Sequence, residues 1–236
     1  MAASHVQHKL TRGGGASTIA ATFDSNVTAG NAIAVFIRWG ATTLSLNSVT
    51  DGLSNSYTIV HNPTLGGVFE CALAYATGIT GGACTVTATF SGNTSEADII
   101  VHESTGTTLA FDASDATAES DLGTGTDAWS PQTAATFTAG AIVNAFACDE
   151  GYSSTWTAGT GYTGRINVSE VASETQVFAA GGSLAAKFTN DNGFIDAFTG
   201  ILAFKEGAGG GRTTKNTRAF PLGTEIGMGW VLPSQV

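Results

Sequence analysis

Charge is scarce in this sequence. Asp, Glu, Lys and Arg together make up 12% of the 236 residues, about half the ordinary share. Positive charge is scarcest: no Lys or Arg occurs between Arg38 and Arg165, a span that holds twelve acids, and the formal net charge is −10. Phosphate binding needs a basic face, so nucleic acid is not an expected partner. No apolar run approaches the roughly 18 residues that cross a bilayer, and no membrane segment is expected. Cysteine occurs three times, as Cys71, Cys84 and Cys148. An odd count, after a start (MAASHVQHKLTRGGG) with no apolar signal core, disfavours a secreted disulfide scaffold and favours assembly in a cytoplasm. One bridge between Cys71 and Cys84 stays open, because the two flank an expected hairpin.

Catalytic motifs are missing too. There is no G-x-S-x-G, no H-E-x-x-H and no phosphate-cradling loop. Asp98 and His102 share a strand face about 13 Å apart, too far for a direct acid–base pair. His5 and His8 have no acidic or Cys ligand near them in sequence, so no zinc site is expected. The acids at 112–127 and Asn190-Asp191-Asn192-Gly193 lack the ordered spacing of a calcium loop. The expectation is a protein that is not an enzyme and needs no metal or cofactor.

What is abundant is glycine, 31 residues, with Thr, Ser and Ala. Such a composition suits short strands and many turns. Cys84-Thr-Val-Thr-Ala-Thr-Phe90 alternates with period two, the mark of a half-buried antiparallel strand. Ala32 to Ile37 is continuously apolar and reads as a strand covered on both faces. Val68–Thr77 and Cys84–Phe90, joined through Gly78-Ile-Thr-Gly-Gly82, read as a hairpin. Further strands are expected at 97–103, 141–147, 184–189 and 194–204. The chain also echoes itself. Thr28-Ala-Gly precedes AIAVFIRW, Thr138-Ala-Gly precedes AIVNAFACD, and TATFSGNTSEADIIVHESTG parallels AAKFTNDNGFIDAFTGILAFKEG.

The expected fold is all-β, a jelly-roll-like antiparallel sandwich of two duplicated β-units packed into one domain. Residues 1–15 form a polar N-terminal segment. The sandwich takes 16–206, in halves of about 16–105 and 130–206, with the acidic crossover around 104–131 lying exposed between them. An extended C-terminal arm takes 207–236.

That arm differs from the body. Eighteen of the nineteen acids but only six of the nine Lys and Arg precede it. After the hinge Gly207-Ala-Gly-Gly-Gly211 come Arg212, Lys215 and Arg218, then Phe220, Leu222, Ile226, Met228 and Trp230. The stretch is too apolar for water and too interrupted by Gly and Pro to build its own core. These eight residues are the candidate partner-binding set. An alternative assignment is glycan binding on aromatic faces near loops and strand ends: Trp39, Trp129, Tyr152 and Trp156.

TAGNAIAVFIRW, SVTDGLSNSYT, CTVTATFS, DIIVHESTG, GYTGRINV and GFIDAFTGILAFKEG follow in order along residues 16–206. The series resembles a β-sandwich module of tailed-phage virion proteins and bacterial surface proteins. The resemblance implies a structural role and brings no catalytic residue with it. The expected function is a virion structural protein, a capsid decoration or cement protein on the outer shell. Its expected partners are the major capsid protein or other virion subunits, and copies of itself as a trimer or dimer. The alternative is a glycan-binding module of a tail fibre or bacterial surface protein.

Overall fold

The computed structural model describes residues 3–40, 43–61, 64–65, 69–122, 135–150, 155–184, 186, 188–190 and 195–207. All regular structure in it is strand. The first half holds β1 (Ser4–Gly13), β2 (Thr18–Thr22), β3 (Ala32–Gly40), β4 (Leu46–Asp51), β5 (Thr58–His61), β6 (Thr64–Leu65), β7 (Phe69–Thr77), β8 (Thr85–Phe90) and β9 (Ala97–Thr105). The second holds β10 (Leu109–Leu122), β11 (Ala135–Phe137), β12 (Ala141–Asp149), β13 (Trp156–Thr157), β14 (Thr163–Val168), β15 (Val171–Phe178), β16 (Gly182–Leu184), β17 (Thr189–Asn190) and β18 (Ile195–Glu206).

The halves repeat one topology. In the first, the large sheet runs β1-β9-β3-β7-β5 and the small one β2-β8-β4; β6 adds to β7. In the second, the large sheet runs β10-β18-β12-β15-β14, while β11-β16 and β13-β17 stand where β2-β8-β4 stands in the first. Every pairing is antiparallel. The chain passes back and forth between a large and a small sheet in each half, with β5 to β7 and β14 to β15 staying in the large sheet, a jelly-roll-like course.

The duplication extends to atoms. At both Thr-Ala-Gly turns the residue after the glycine donates its N–H to the threonine carbonyl, Asn31 to Thr28 and Ala141 to Thr138. Gly30 and Gly140 carry φ of +87° and +81°, a region that disfavours side chains with a Cβ. A Cβ on Gly81 would stand 2.8 Å from the Ala29 nitrogen, and one on Gly181 2.8 Å from the Ala139 nitrogen. Each Gly-Gly pair therefore packs against its own Thr-Ala-Gly turn, a second echo at Gly81-Gly82 and Gly181-Gly182.

The two large sheets lie face to face, so the order of layers is small, large, large, small. Three cores result. Ile33, Val35, Ile37, Trp39, Val86 and Phe90 fill the first sandwich. Val143, Ala145, Trp156, Ile201 and Phe188 fill the second. Phe36, Leu73, Ile100, Phe146, Phe198, Leu202 and Phe204 fill the seam between them. This explains why β3 and β12 are buried at every position: one face serves a sandwich and the other the seam. Phe36 and Phe146 occupy equivalent positions and stack across the seam, centroids 5.7 Å apart and 12° from parallel. The halves meet about an approximate two-fold through this pair. At one flank β1 lies along β14, where Arg12 reaches Ser169 and Glu170; at the other β10 lies along β5, where His61 meets Ser114.

Three expectations are corrected. The polar start is not an appendage, because residues 4–13 are the edge strand of the first large sheet. The acidic crossover is not an exposed loop over 109–122, which pairs along β18. Asp112 there is held by Lys205 at 2.9 Å and by Thr138. Finally, β7 and β8 are not a hairpin. Gly78 and Gly82 take positive φ, and a Val27–Gly82 bridge helps lead the chain from the large sheet to the small one. Each half carries a second layer and so a core of its own.

Candidate functional site

Two groups of buried polar residues lie along the seam, among them Arg38, Asp98, His102, Asn144 and Ser173. Arg38 is central at one end. It is 1% exposed and pairs with Asp98 at 2.7 Å, Glu96 at 3.1 Å and Glu170 of the other half at 3.5 Å. Its guanidinium carbon lies 3.9 Å over the Phe69 ring. Arg12 bonds Asp98 at 2.8 Å and Glu170 at 2.5 Å. Two cations and three carboxylates thus share one knot that ties β1, β3 and β9 to the β14–β15 turn. A buried charge persists only when paired in this way. Asp98 and His102 share the seam face of β9 yet belong to separate groups, in keeping with the distance expected from sequence.

Toward the other end lie His5, His8 and His102. Three-residue spacing on a regular strand would put His5 and His8 on opposite faces. A bulge between His5 and Gln7 corrects this: His5 pairs with Ser104 and His8 with His102, both seam-facing. The ring centroids are 5.2–5.8 Å apart. His5 Nε2 and His8 Nδ1 are 3.1 Å apart. His102 Nδ1 contacts Asn144 Oδ1 at 3.2 Å, and its Nε2 contacts Ser173 Oγ at 2.9 Å. The last three have the connectivity of a nucleophile, base and orienter. They are 0–1% exposed and packed on Phe146, so no substrate atom can approach Ser173 Oγ. The arrangement is a buried hydrogen-bond chain between the halves.

Burial, with Arg165 and His8 adding repulsion, lowers the pKa of His5 to about 4. Burial and then Arg165 also lower His8. His102 is pushed well below its ordinary value by burial and by its two neighbours. Among the described residues, no group of three or more His, Cys, Asp or Glu is arranged to hold a metal ion. No helix there is long and apolar enough to cross a membrane.

The thiols also sort by face. Cys71 and Cys84 point into different cores, so a bridge between them is ruled out. Cys71 instead meets Cys148 of the other half, sulfur to sulfur 3.4 Å, and both are reduced and buried. Cys84 sits near Asp51; burial and that carboxylate push its thiol up to about 12.

Of the glycan candidates, Trp39 is 0% and Trp156 2% exposed. Trp39 packs on Phe90 and donates its indole N–H to the Leu44 carbonyl. Trp156 packs edge-on to Phe188. Stacking on a sugar requires an open ring face. Neither indole offers one, because each plugs its own sandwich. Trp129 and Tyr152 lie outside the described residues, as do all eight arm candidates, Arg212, Lys215, Arg218, Phe220, Leu222, Ile226, Met228 and Trp230.

Reading the sequence missed the seam groups Arg38, Glu170, Asn144 and Ser173. Arg38 carried a signal: it is a lone charge closing an apolar run that is covered on both faces. Comparison with family models, with curated proteins and with solved structures finds no match to this chain.

Proposed function

We propose that this protein is a structural component of a tailed-phage virion, a decoration or cement protein of the outer capsid surface. It bridges neighbouring shell subunits through its double sandwich and the segment 208–236. The observation that carries this reading is the contrast within the sequence. An acidic β-body is followed by a stretch in which Arg212, Lys215 and Arg218 lead into Phe220, Leu222, Ile226, Met228 and Trp230. Basic groups steer such a segment onto acidic surface, and its large apolar residues anchor it there. Phe220, Ile226 and Trp230 would each gain about 1.5–3 kcal/mol on burial, before ordering costs.

Two features of the body support the reading. The buried histidine, serine and carboxylate groups of the seam are engaged in joining the halves, which suits a scaffold. A duplicated unit with two outward-facing small sheets gives one chain two comparable surfaces, so it can touch two shell subunits at once and add avidity. Stabilisation of the shell then follows by mass action, because the protein binds the assembled state.

Quantitative mass spectrometry of purified particles tests the proposal. A cement protein is present at tens to hundreds of copies per particle. A count of a few copies, or its absence from particles, contradicts the assignment.

A further inference from the structure

We propose that the flank where β1 lies along β14 is an acid-opened latch: protonation of the His5–His8–His102 cluster releases β1 from its sheet while the two sandwich cores stay folded.

The hydrogen bonds fix where protons go. His8 bonds the Arg165 backbone and, through Nδ1, His5. With His8 Nε2–H donating to the carbonyl, its Nδ1 accepts from His5 Nε2–H. His5 Nδ1 is then a bare acceptor, and it is buried without a partner. It is the first seat for a proton. A second proton on His8 Nδ1 turns two bonded nitrogens into two facing donors and breaks their bond. Both ring nitrogens of His102 are already engaged: Nδ1–H donates to Asn144 Oδ1, so a proton on Nε2 obliges the Ser173 hydroxyl to turn from donor to acceptor.

Nothing nearby offers an adequate counter-charge. From β14 the facing charge is Arg165, itself positive, its Nε bonded to Thr175. From β12 and β15 the facing groups are the neutral Asn144, Phe146 and Ser173. On β9, Glu103 points to the opposite face, where Gln7, Thr28 and Asn31 hold it. Asp98 is taken by Arg12 and Arg38. Asp24 does act on His8 but is bonded to Lys9 at 2.6 Å. Charging the cluster therefore adds cations beside a cation in a desolvated seam, and the low pKa of His5 reports that cost.

Position decides which part yields. Strand β1 is an edge and bonds β9 alone, whereas β3, β9 and β12 are each bonded on both sides. Two of the three histidines ride on β1, and leaving the seam hydrates both. In solution a histidine takes up its proton near 6.5, so between that value and about 4 the released strand holds more protons than the docked one. The opening equilibrium then rises by up to tenfold per pH unit for each proton gained.

Hydrogen–deuterium exchange of the full chain from pH 7.5 to 4.5, corrected for intrinsic rates, tests this. Protection over 4–13 should fall at least tenfold toward pH 4.5, while β3, β12 and β15 remain protected. The double variant His5→Gln/His8→Gln should flatten that dependence. Flat protection of 4–13 in the native chain, or an unchanged pH dependence in the variant, overturns the latch. Should the variant fail to dock β1 at neutral pH, ring NMR of the native chain decides. The cluster histidines should stay neutral until β1 amides exchange and then titrate with them. Titration near 6.5 with β1 still protected contradicts the proposal.

Discussion

At the residue scale, the heaviest demands fall on side chains that serve both halves. Phe36 and Phe146 stack on each other; Phe36 also stacks on Phe198, and Phe146 packs at a tilt against His102. Truncating either to Ala should cost about 3–5 kcal/mol. The double variant should cost less than the sum in chemical denaturation, since one contact is lost twice. Arg38→Met removes the main partner of Asp98 and a contact of Glu170 together, and a loss of about 3–5 kcal/mol is expected for breaking a buried pair from one side. The glycines give a matched test of duplication. Gly81→Ala and Gly181→Ala each drive a Cβ to 2.8 Å from a backbone nitrogen. Both should lower stability by about 1–3 kcal/mol, the second somewhat more because Gly181 also holds φ at +69°. Unequal effects, with one of the pair neutral, would mean the two turns are not equivalent.

At the element scale, legibility followed how a strand's inner face is furnished. Strand β8 was readable from its period of two, and β3, β9, β12 and β18 from apolar runs that serve a sheet covered on both faces. Strand β1 was not, because its seam face carries His5, His8 and Arg12, whose partners Arg165, Ser169 and Glu170 lie some 157 residues away in the chain. A polar strand reads as solvated until its far partner is known. Strand β10 failed for a related reason: small and acidic residues suggest a loop, yet Asp112 is spent on Lys205 and Thr138. The β7–β8 hairpin failed because a Gly-rich link between strands does not say whether the chain returns to the same sheet. Acid stability belongs at this scale too. The three seam histidines have lowered values when folded, so below about 6.5 the unfolded chain binds more protons and stability falls as pH drops toward 4. Asp112, also lowered, contributes stability above 3.8 that is lost as pH falls through its folded value. Thermal unfolding between pH 7 and 4.5 should show a falling midpoint, and His5→Gln/His8→Gln should shallow that slope without altering the Asp112 contribution below it.

At the scale of the whole molecule, one topology is used twice and closed on itself through an approximately two-fold seam. A face that would otherwise associate with a second chain is buried within this one, and the repeated Thr-Ala-Gly turns made that duplication visible beforehand. The four-layer order was not visible, since composition does not say that each large sheet is covered on both faces. The candidate arm could be read only as chemistry, as a run of anchors and basic groups. If the body is a self-sufficient scaffold and 208–236 is the gripping element, the two should separate cleanly. The most direct test is co-sedimentation of purified shells with the full chain and with a chain ending at Gly207, each first checked by thermal unfolding. The expected result is an unchanged unfolding midpoint and at least a hundredfold loss of shell binding in the shortened chain, the order of effect of removing about 3 kcal/mol of anchor contacts. Undiminished binding by the shortened chain, or collapse of its fold, would contradict the account.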